Sequence, residues 1–330
     1  MSFDDRRRFL LAASALLAAT RDAASQPVAK LHRVAHLSGS GESASRPFVD
    51  AFKAGMGALG YVESRHYVVE QRYAEGKVDR LPALAQELLQ LSPDVLLVST
   101  TPASLAAKAA TSTVPIVVVL VADPVGAGIV QSLARPGGNI TGITNIVAEL
   151  AGKRLELLKD LVPAASRIAV LTNPDSQNAP LQLRSAAAAA GKLGIRLSPV
   201  LEVRSAADLP RAFQAAAGAR VDGVIRMIDP LIFMLREQTA ALAQRYRLPV
   251  IYRSREDVQA GGLISYGANV PEQYRQAAQL VGGILRGVKP ADMPVEQPTT
   301  FELVINLKTA RALGLTIPRS LLLRVDEVIE

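Results

Sequence analysis

The chain has 330 residues, 49% hydrophobic and 20% charged, with a formal net charge of +7 spread along its length. No basic stripe interleaved with aromatics occurs, which argues against a nucleic-acid partner. Cysteine and tryptophan are absent, so disulfides, thiolate nucleophiles, iron–sulfur clusters, thiolate zinc sites and a lipid-bearing cysteine are excluded.

The first segment reads as an export leader over 1–25. Arg6-Arg7-Arg8 precedes an apolar run over 9–19, and Ala23-Ala24-Ser25 supplies a small-residue cleavage site before Gln26. The run is too short for a bilayer, which needs about 20 residues. Arg-Arg-x-Phe-Leu also fits twin-arginine export, and a general-secretion leader remains the alternative. The mature chain is expected to be soluble and periplasmic.

Short apolar runs then alternate with helical patterns. Strands are expected over 34–37, 68–71, 95–99 and 116–121, with helices over 47–59, 80–90 and 102–111. The runs lack strict alternation, as parallel strands buried on both faces do. A second unit repeats the first. Val34-Ala35-His36-Leu37-Ser38 resembles Ile168-Ala169-Val170-Leu171-Thr172, offset by 134 residues, and Val114-Pro115-Ile116-Val117 resembles Leu248-Pro249-Val250-Ile251 at the same offset. Asp94 and Pro102 match Asp222 and Pro230, offset by 128. The second unit therefore has strands over 168–171, 197–201, 221–226 and 250–252, and helices over 179–193, 207–216 and 230–246.

The fold class is α/β: two similar doubly wound parallel-sheet lobes. The segments 139–144, 263–267 and 300–305 are left over as connections, and three crossings make a hinge. Lobe 1 then comprises 31–143 plus 268–299, and lobe 2 comprises 144–267 plus 300–330.

Ligands of open parallel sheets sit beyond the carboxyl ends of the strands, near helix N-termini. The repeat predicts three pairs of facing loops: 38–47 with 172–178, 99–101 with 227–229, and 120–123 with 253–257. These supply the candidate ligand-binding residues Ser38, Ser40, Ser99, Thr100, Thr101, Asp123, Asn173, Gln177, Asn178, Asp229, Tyr252 and Arg253. Thr101 before Pro102 fits an N-cap whose amides and hydroxyls would hold a carboxylate, and Asp229 before Pro230 would face an ammonium. A bare capping role is the alternative for each. Phe48, Tyr252 and Tyr266 are placed at the cleft mouth, where they would stack on a ring or else serve as packing. The Ser38-Gly39-Ser40-Gly41 loop lacks the third glycine of a dinucleotide fingerprint and the lysine of a phosphate loop, so it reads as a flexible polar lining with no cofactor. No metal-binding, hydrolase-elbow or His-based catalytic set occurs, and the chain is read as a non-enzyme.

Several stretches resemble the type I periplasmic solute-binding proteins of ABC importers, in the subfamily that includes tryptophan- and phenylalanine-binding members. They run Asp123-Pro124-Val125-Gly126-Ala127-Gly128, Arg135-Pro136-Gly137-Gly138-Asn139-Ile140-Thr141-Gly142, the Leu285-to-Pro294 stretch, and the run from Ile305 to Pro318. The family's threonine-rich loop falls on Thr100 and Thr101. The resemblance implies capture of an amino acid or related carboxylate, delivery to a membrane permease, and a monomeric state. A sensing partner of a signalling receptor and a cofactor-free two-lobe enzyme are the competing readings.

Overall fold

The computed structural model describes residues 30–145 and 147–330; the leader lies outside the described residues. The first half forms β1 (His32–Ser38), α1 (Glu42–Ala58), β2 (Tyr67–Tyr73), α2 (Leu81–Gln90), β3 (Val95–Ser99), α3 (Thr101–Ala110), β4 (Ile116–Ala122) and β5 (Ile140–Asn145). The second forms α4 (Val147–Leu161), β6 (Arg167–Thr172), α5 (Ala179–Leu193), β7 (Arg196–Glu202), α6 (Leu209–Gly218), β8 (Gly223–Arg226), α7 (Pro230–Met234), α8 (Arg236–Arg245), β9 (Val250–Tyr252), α9 (Arg255–Gln259) and β10 (Ile264–Ala268). The chain continues through α10 (Val270–Leu285), β11 (Phe301–Asn306), α11 (Leu307–Ala312), α12 (Arg319–Leu322) and β12 (Glu327–Ile329).

Two sheets result. One runs β2-β1-β3-β4-β5 and the other β12-β11-β10-β9-β8-β6-β7. Reading β7-β6-β8-β9-β10 against β2-β1-β3-β4-β5 recovers the same winding in each lobe, so the repeat extends over ten strands. Every pairing is parallel except β10 with β11.

The continuous apolar runs follow from burial of both faces of each sheet. Leu97 of β3 joins a core with Phe52 and Val281, while Leu96 and Val98 face Leu84 and Ala103 on the other side. In the second lobe Ile168 and Val170 pack with Leu155, whereas Ala169 and Leu171 pack with Phe213. Helix α10 lies against α1: Tyr274, Ala277 and Val281 share a core with Phe48, Phe52 and Met56.

Two helices differ from expectation. Helix α1 starts five residues earlier, because Gly41 takes extended backbone (φ −87°, ψ 165°) and Ser45 N–H donates to its carbonyl at 3.1 Å. Pro47 consequently stands within the helix. The helix expected over 230–246 breaks at Leu235 (φ −88°, ψ 16°). Within this short α7, Ile232 enters the core of its own lobe while Phe233 joins the core of the other.

The chain passes between the sheets after β5, after β10 and before β11, and these passages are tied together. Thr144 N–H donates to the Glu296 carbonyl, and Glu296 N–H to the Gly142 carbonyl, each at 2.9 Å. At Gly142 (φ 149°) any Cβ would lie 2.0 Å from the Val118 carbonyl oxygen, so β5 approaches β4 too closely there for any other residue.

His36 of β1 is fully buried with neither ring nitrogen hydrogen-bonded among the described residues, and burial pushes its imidazole down to about 4. The native state thus holds it neutral while the unfolded chain protonates near pH 6.5. Its contribution to stability is complete above about pH 6.5 and is lost as the pH falls towards 4, amounting to about 3 kcal/mol. Urea unfolding of His36→Leu across this window should show a flatter pH dependence than the parent; an identical slope would refute the assignment.

Candidate functional site

The carboxyl ends of the two sheets face one another across a shared cavity. Its walls alternate between lobes. Ser38, Ser40, Phe48, Ser99, Thr100 and Thr101 come from the first, and Asn178, Asp229, Phe233 and Arg253 from the second. Asn145, at the end of β5, and Tyr274, on α10, close the hinge side.

On the first lobe the loop after β3 is strained. Thr100 has φ 87° and ψ 151°, a region open to almost no residue but glycine, and such strain concentrates at ligand clamps. Its carbonyl accepts the Ser104 hydroxyl (2.9 Å), and the Thr100 hydroxyl is buried without a partner among the described residues. Gly39 makes room for that hydroxyl, since a Cβ there would lie 2.6 Å from it. Leu120 (φ 58°), at an irregularity within β4, also lines the cavity in a left-handed conformation. Helix α3 opens at the same point, and the N–H groups of a first helical turn have no partner within the helix. Ser99 lies within hydrogen-bonding reach of the Tyr274 phenol, which burial pushes upwards in pKa.

On the second lobe Asp229 caps α7, its Oδ1 accepting Ile232 N–H at 3.1 Å. Its Oδ2 accepts the Asn173 amide at 3.3 Å. Burial raises the Asp229 pKa, opposed by hydrogen bonds from Ile232 and Asn173. The carboxylate therefore keeps a use for a cation that would complete its solvation. Phe233 stacks on Phe48 across the cleft, with centroids 6.1 Å apart and planes at 28°. Phe48 stacks in turn on Tyr274 at 5.6 Å. The Arg253 guanidinium carbon lies 5.7 Å from the centre of the Phe233 ring. Asn178 donates to the Thr101 hydroxyl at 3.3 Å, so the lobes also meet through a polar contact.

Eight of the expected residues thus line one cavity: Ser38, Ser40, Ser99, Thr100, Thr101, Asn178, Asp229 and Arg253. Four do not. Asp123 and Gln177 line a neighbouring opening at the cleft mouth, where Asp123 Oδ1 accepts Gly126 N–H at 2.8 Å. Asn173 stands behind Asp229 as its hydrogen-bond donor. Tyr252 is wholly buried in the second lobe's core, beneath the Arg226 guanidinium, because both faces of β9 are covered. Tyr266, expected at the mouth, instead stacks on Phe301 at 6.2 Å. Thr101 is no N-cap: it is the first residue of α3, and its hydroxyl accepts Ala122 N–H at 3.2 Å.

Sequence reasoning missed Phe233, Tyr274 and Asn145. Phe233 stands four residues after Asp229, on the helix that Asp229 caps, which placed it near the site in the sequence. Tyr274 carried no such signal. Among the described residues no group of three His, Asp or Glu side chains is placed to hold a metal ion, and no helix is long and apolar enough to cross a membrane.

Comparison with known proteins agrees with this architecture. The family model for ABC transporter substrate binding proteins matches residues 39–329. A tyrosine-binding protein of Clostridioides difficile is 28% identical over 258 residues, covering 78% of this chain and 73% of that protein. A crystal structure of a conserved domain protein from Vibrio cholerae superposes with a TM-score of 0.85 at 30% identity, covering 91% of this chain and all of the other. An ABC domain from Streptococcus pneumonia in complex with L-Trp gives 0.84 at 26% identity, with coverage of 91% and 100%.

Proposed function

Because the chain belongs to the ABC transporter substrate-binding protein family, and so is an extracytoplasmic solute-binding protein, we propose that its solute is an aromatic amino acid held between the two lobes and handed to an importer permease. The observation that carries this reading is the make-up of the shared cavity: the rings of Phe48, Phe233 and Tyr274 together with a buried carboxylate, Asp229, and several hydroxyls. Stacked rings favour a flat apolar group, and Asp229 suits an ammonium. The tyrosine-binding relative and the L-Trp complex point to the same solute class. Since both lobes contribute, only the closed arrangement satisfies the whole solute, and binding shifts the population towards closure. A monomer acting without catalysis suffices for this role.

A thermal-shift panel of amino acids, aromatic acids, sugars and nucleosides on the mature protein tests the reading, because a solute that binds the native state raises the melting temperature. The largest shift is expected from tyrosine, tryptophan or phenylalanine. A response confined to sugars or nucleosides would overturn it.

Asp229 adds a pH signature. Its raised pKa means that acidification protonates it above the ordinary aspartate range of about 4, removing the charge an ammonium needs. Affinity for the amino acid should therefore weaken as the pH falls through that point. Calorimetry on Asp229→Asn, which keeps an acceptor for the α7 cap, should give affinity about tenfold weaker and nearly pH-independent over that range. Parent-like binding by the variant would exclude Asp229 from the site.

A further inference from the structure

At the hinge side a second, smaller cavity adjoins the cleft. Asn145, Ile228 and Arg253 wall both spaces, and Arg154 and Gln273 wall the second alone. Arg154, on α4, is fully buried, and none of its three guanidinium nitrogens has a hydrogen-bond partner among the described residues. Its nearest buried counterpart is differently placed: Arg226 forms an ion pair with Asp257 and donates to the Ile232 carbonyl at 2.9 Å. Asp257 acts on Arg154 only at longer range, and Glu256 and Asp257 act on Arg253. The amides of Asn145 and Gln273 border the same space, each with its oxygen unpaired, and rotation can present either end of an amide.

An unpaired guanidinium in a closed interior is costly, and a buried polar group without a partner calls for an explanation. Burial, reinforced by Arg253 and Arg226, lowers the Arg154 pKa to about 9, which leaves it protonated at neutral pH. A guanidinium offers forked donors matched to a carboxylate, and this one opens on the passage through which a solute in the main cleft would extend.

We propose that the hinge cavity is an anion subsite in which Arg154 and Arg253 hold the carboxylate of the bound solute. This assignment rests on the aromatic amino-acid reading above and moves the carboxylate from the Thr100–Thr101 loop, where the sequence had placed it, to the hinge. Asp229 and Arg253 line the same main cavity, so the ammonium and carboxylate of one α-carbon have opposite charges to face. Seating an anion there would also tie α4 and β9 of the second lobe to α10 and β5 at the crossing.

Matched acid and amide pairs test this by calorimetry and thermal shift: phenylalanine, tyrosine and tryptophan against their carboxamides, and phenylacetate against phenylacetamide. Chloride and inorganic phosphate at constant ionic strength form a separate arm. The parent should favour each acid over its amide by about tenfold or more, and Arg154→Met should lose that preference while Arg154→Lys keeps part of it. Amides binding the parent as well as acids do, or Arg154→Met retaining the preference, would overturn the proposal. Stabilisation by chloride or phosphate alone would also overturn it, by assigning the site to a free ion. If phenylacetate shows the preference while no amino acid binds, the subsite stands and the amino-acid reading falls. The acid–amide comparison in the parent needs no variant and survives misfolding of Arg154→Met.

Discussion

Asp257→Asn should lower the unfolding free energy by about 3–5 kcal/mol, the loss typical of breaking a buried ion pair from one side. Asp257 is fully buried and pairs with Arg226, itself only 2% exposed. The guanidinium lies over the Tyr252 ring at 5.2 Å, and its Nε is already without a partner among the described residues. Removing the carboxylate's charge would leave Arg226 as an uncompensated cation in the core of the second lobe. Asp257 also closes a capping box at α9, accepting the Ser254 hydroxyl at 3.1 Å, so part of the loss is local to that helix. Urea unfolding should show a lower midpoint at unchanged slope. Replacing both partners with apolar residues should recover much of the loss, because the pair repays little more than its own desolvation. A single-variant loss below about 1 kcal/mol would show that the pair is not sealed from water.

Phe233→Ala should weaken aromatic amino-acid binding by about 30-fold or more, the scale of a central aromatic anchor. Phe233 belongs by sequence to the second lobe, yet it is 7% exposed and packs with Phe48 in the core of the first. It is therefore both a wall for the solute and a contact that closure makes. Its removal should raise the dissociation rate more than it slows association, since the contact forms after encounter. Unchanged affinity in stopped-flow and calorimetry would remove Phe233 from the site.

The parts of this account visible in sequence are those set by local pattern. The doubled winding was legible because β1 and β6 carry matching apolar runs, while Asp94 and Pro102 flank β3 as Asp222 and Pro230 flank β8 at a near-constant offset, and two-faced burial keeps such runs continuous. The loops after those strands inherited their positions from topology, which is why Thr100 and Asp229 could be paired across a cleft before any coordinates. Non-local facts were invisible. Nothing in Val270–Leu285 states that its apolar face will meet α1. Arg154 sits among Lys153, Glu156, Lys159 and Asp160, a composition that reads as a solvated helix face; only the fold turns that one residue inward. Tyr252 was misplaced for the opposite reason: its neighbours Val250 and Ile251 marked a strand covered on both faces, and a tyrosine there packs even though its hydroxyl finds no partner among the described residues. Leu235 carries no breaker signal, so the break there had no local mark in the sequence.

The most direct test follows the distance between lobes. Because the chain has no cysteine, labels can be placed at Val125→Cys and Arg184→Cys alone, on exposed positions beside the cleft-mouth opening that Gly126 and Arg184 line from opposite lobes. Pulsed spin-label distances with and without tyrosine, tryptophan or phenylalanine should shift to one shorter, narrower distribution when the solute is present. A compound that raises the melting temperature while leaving that distribution unchanged would contradict capture between the lobes.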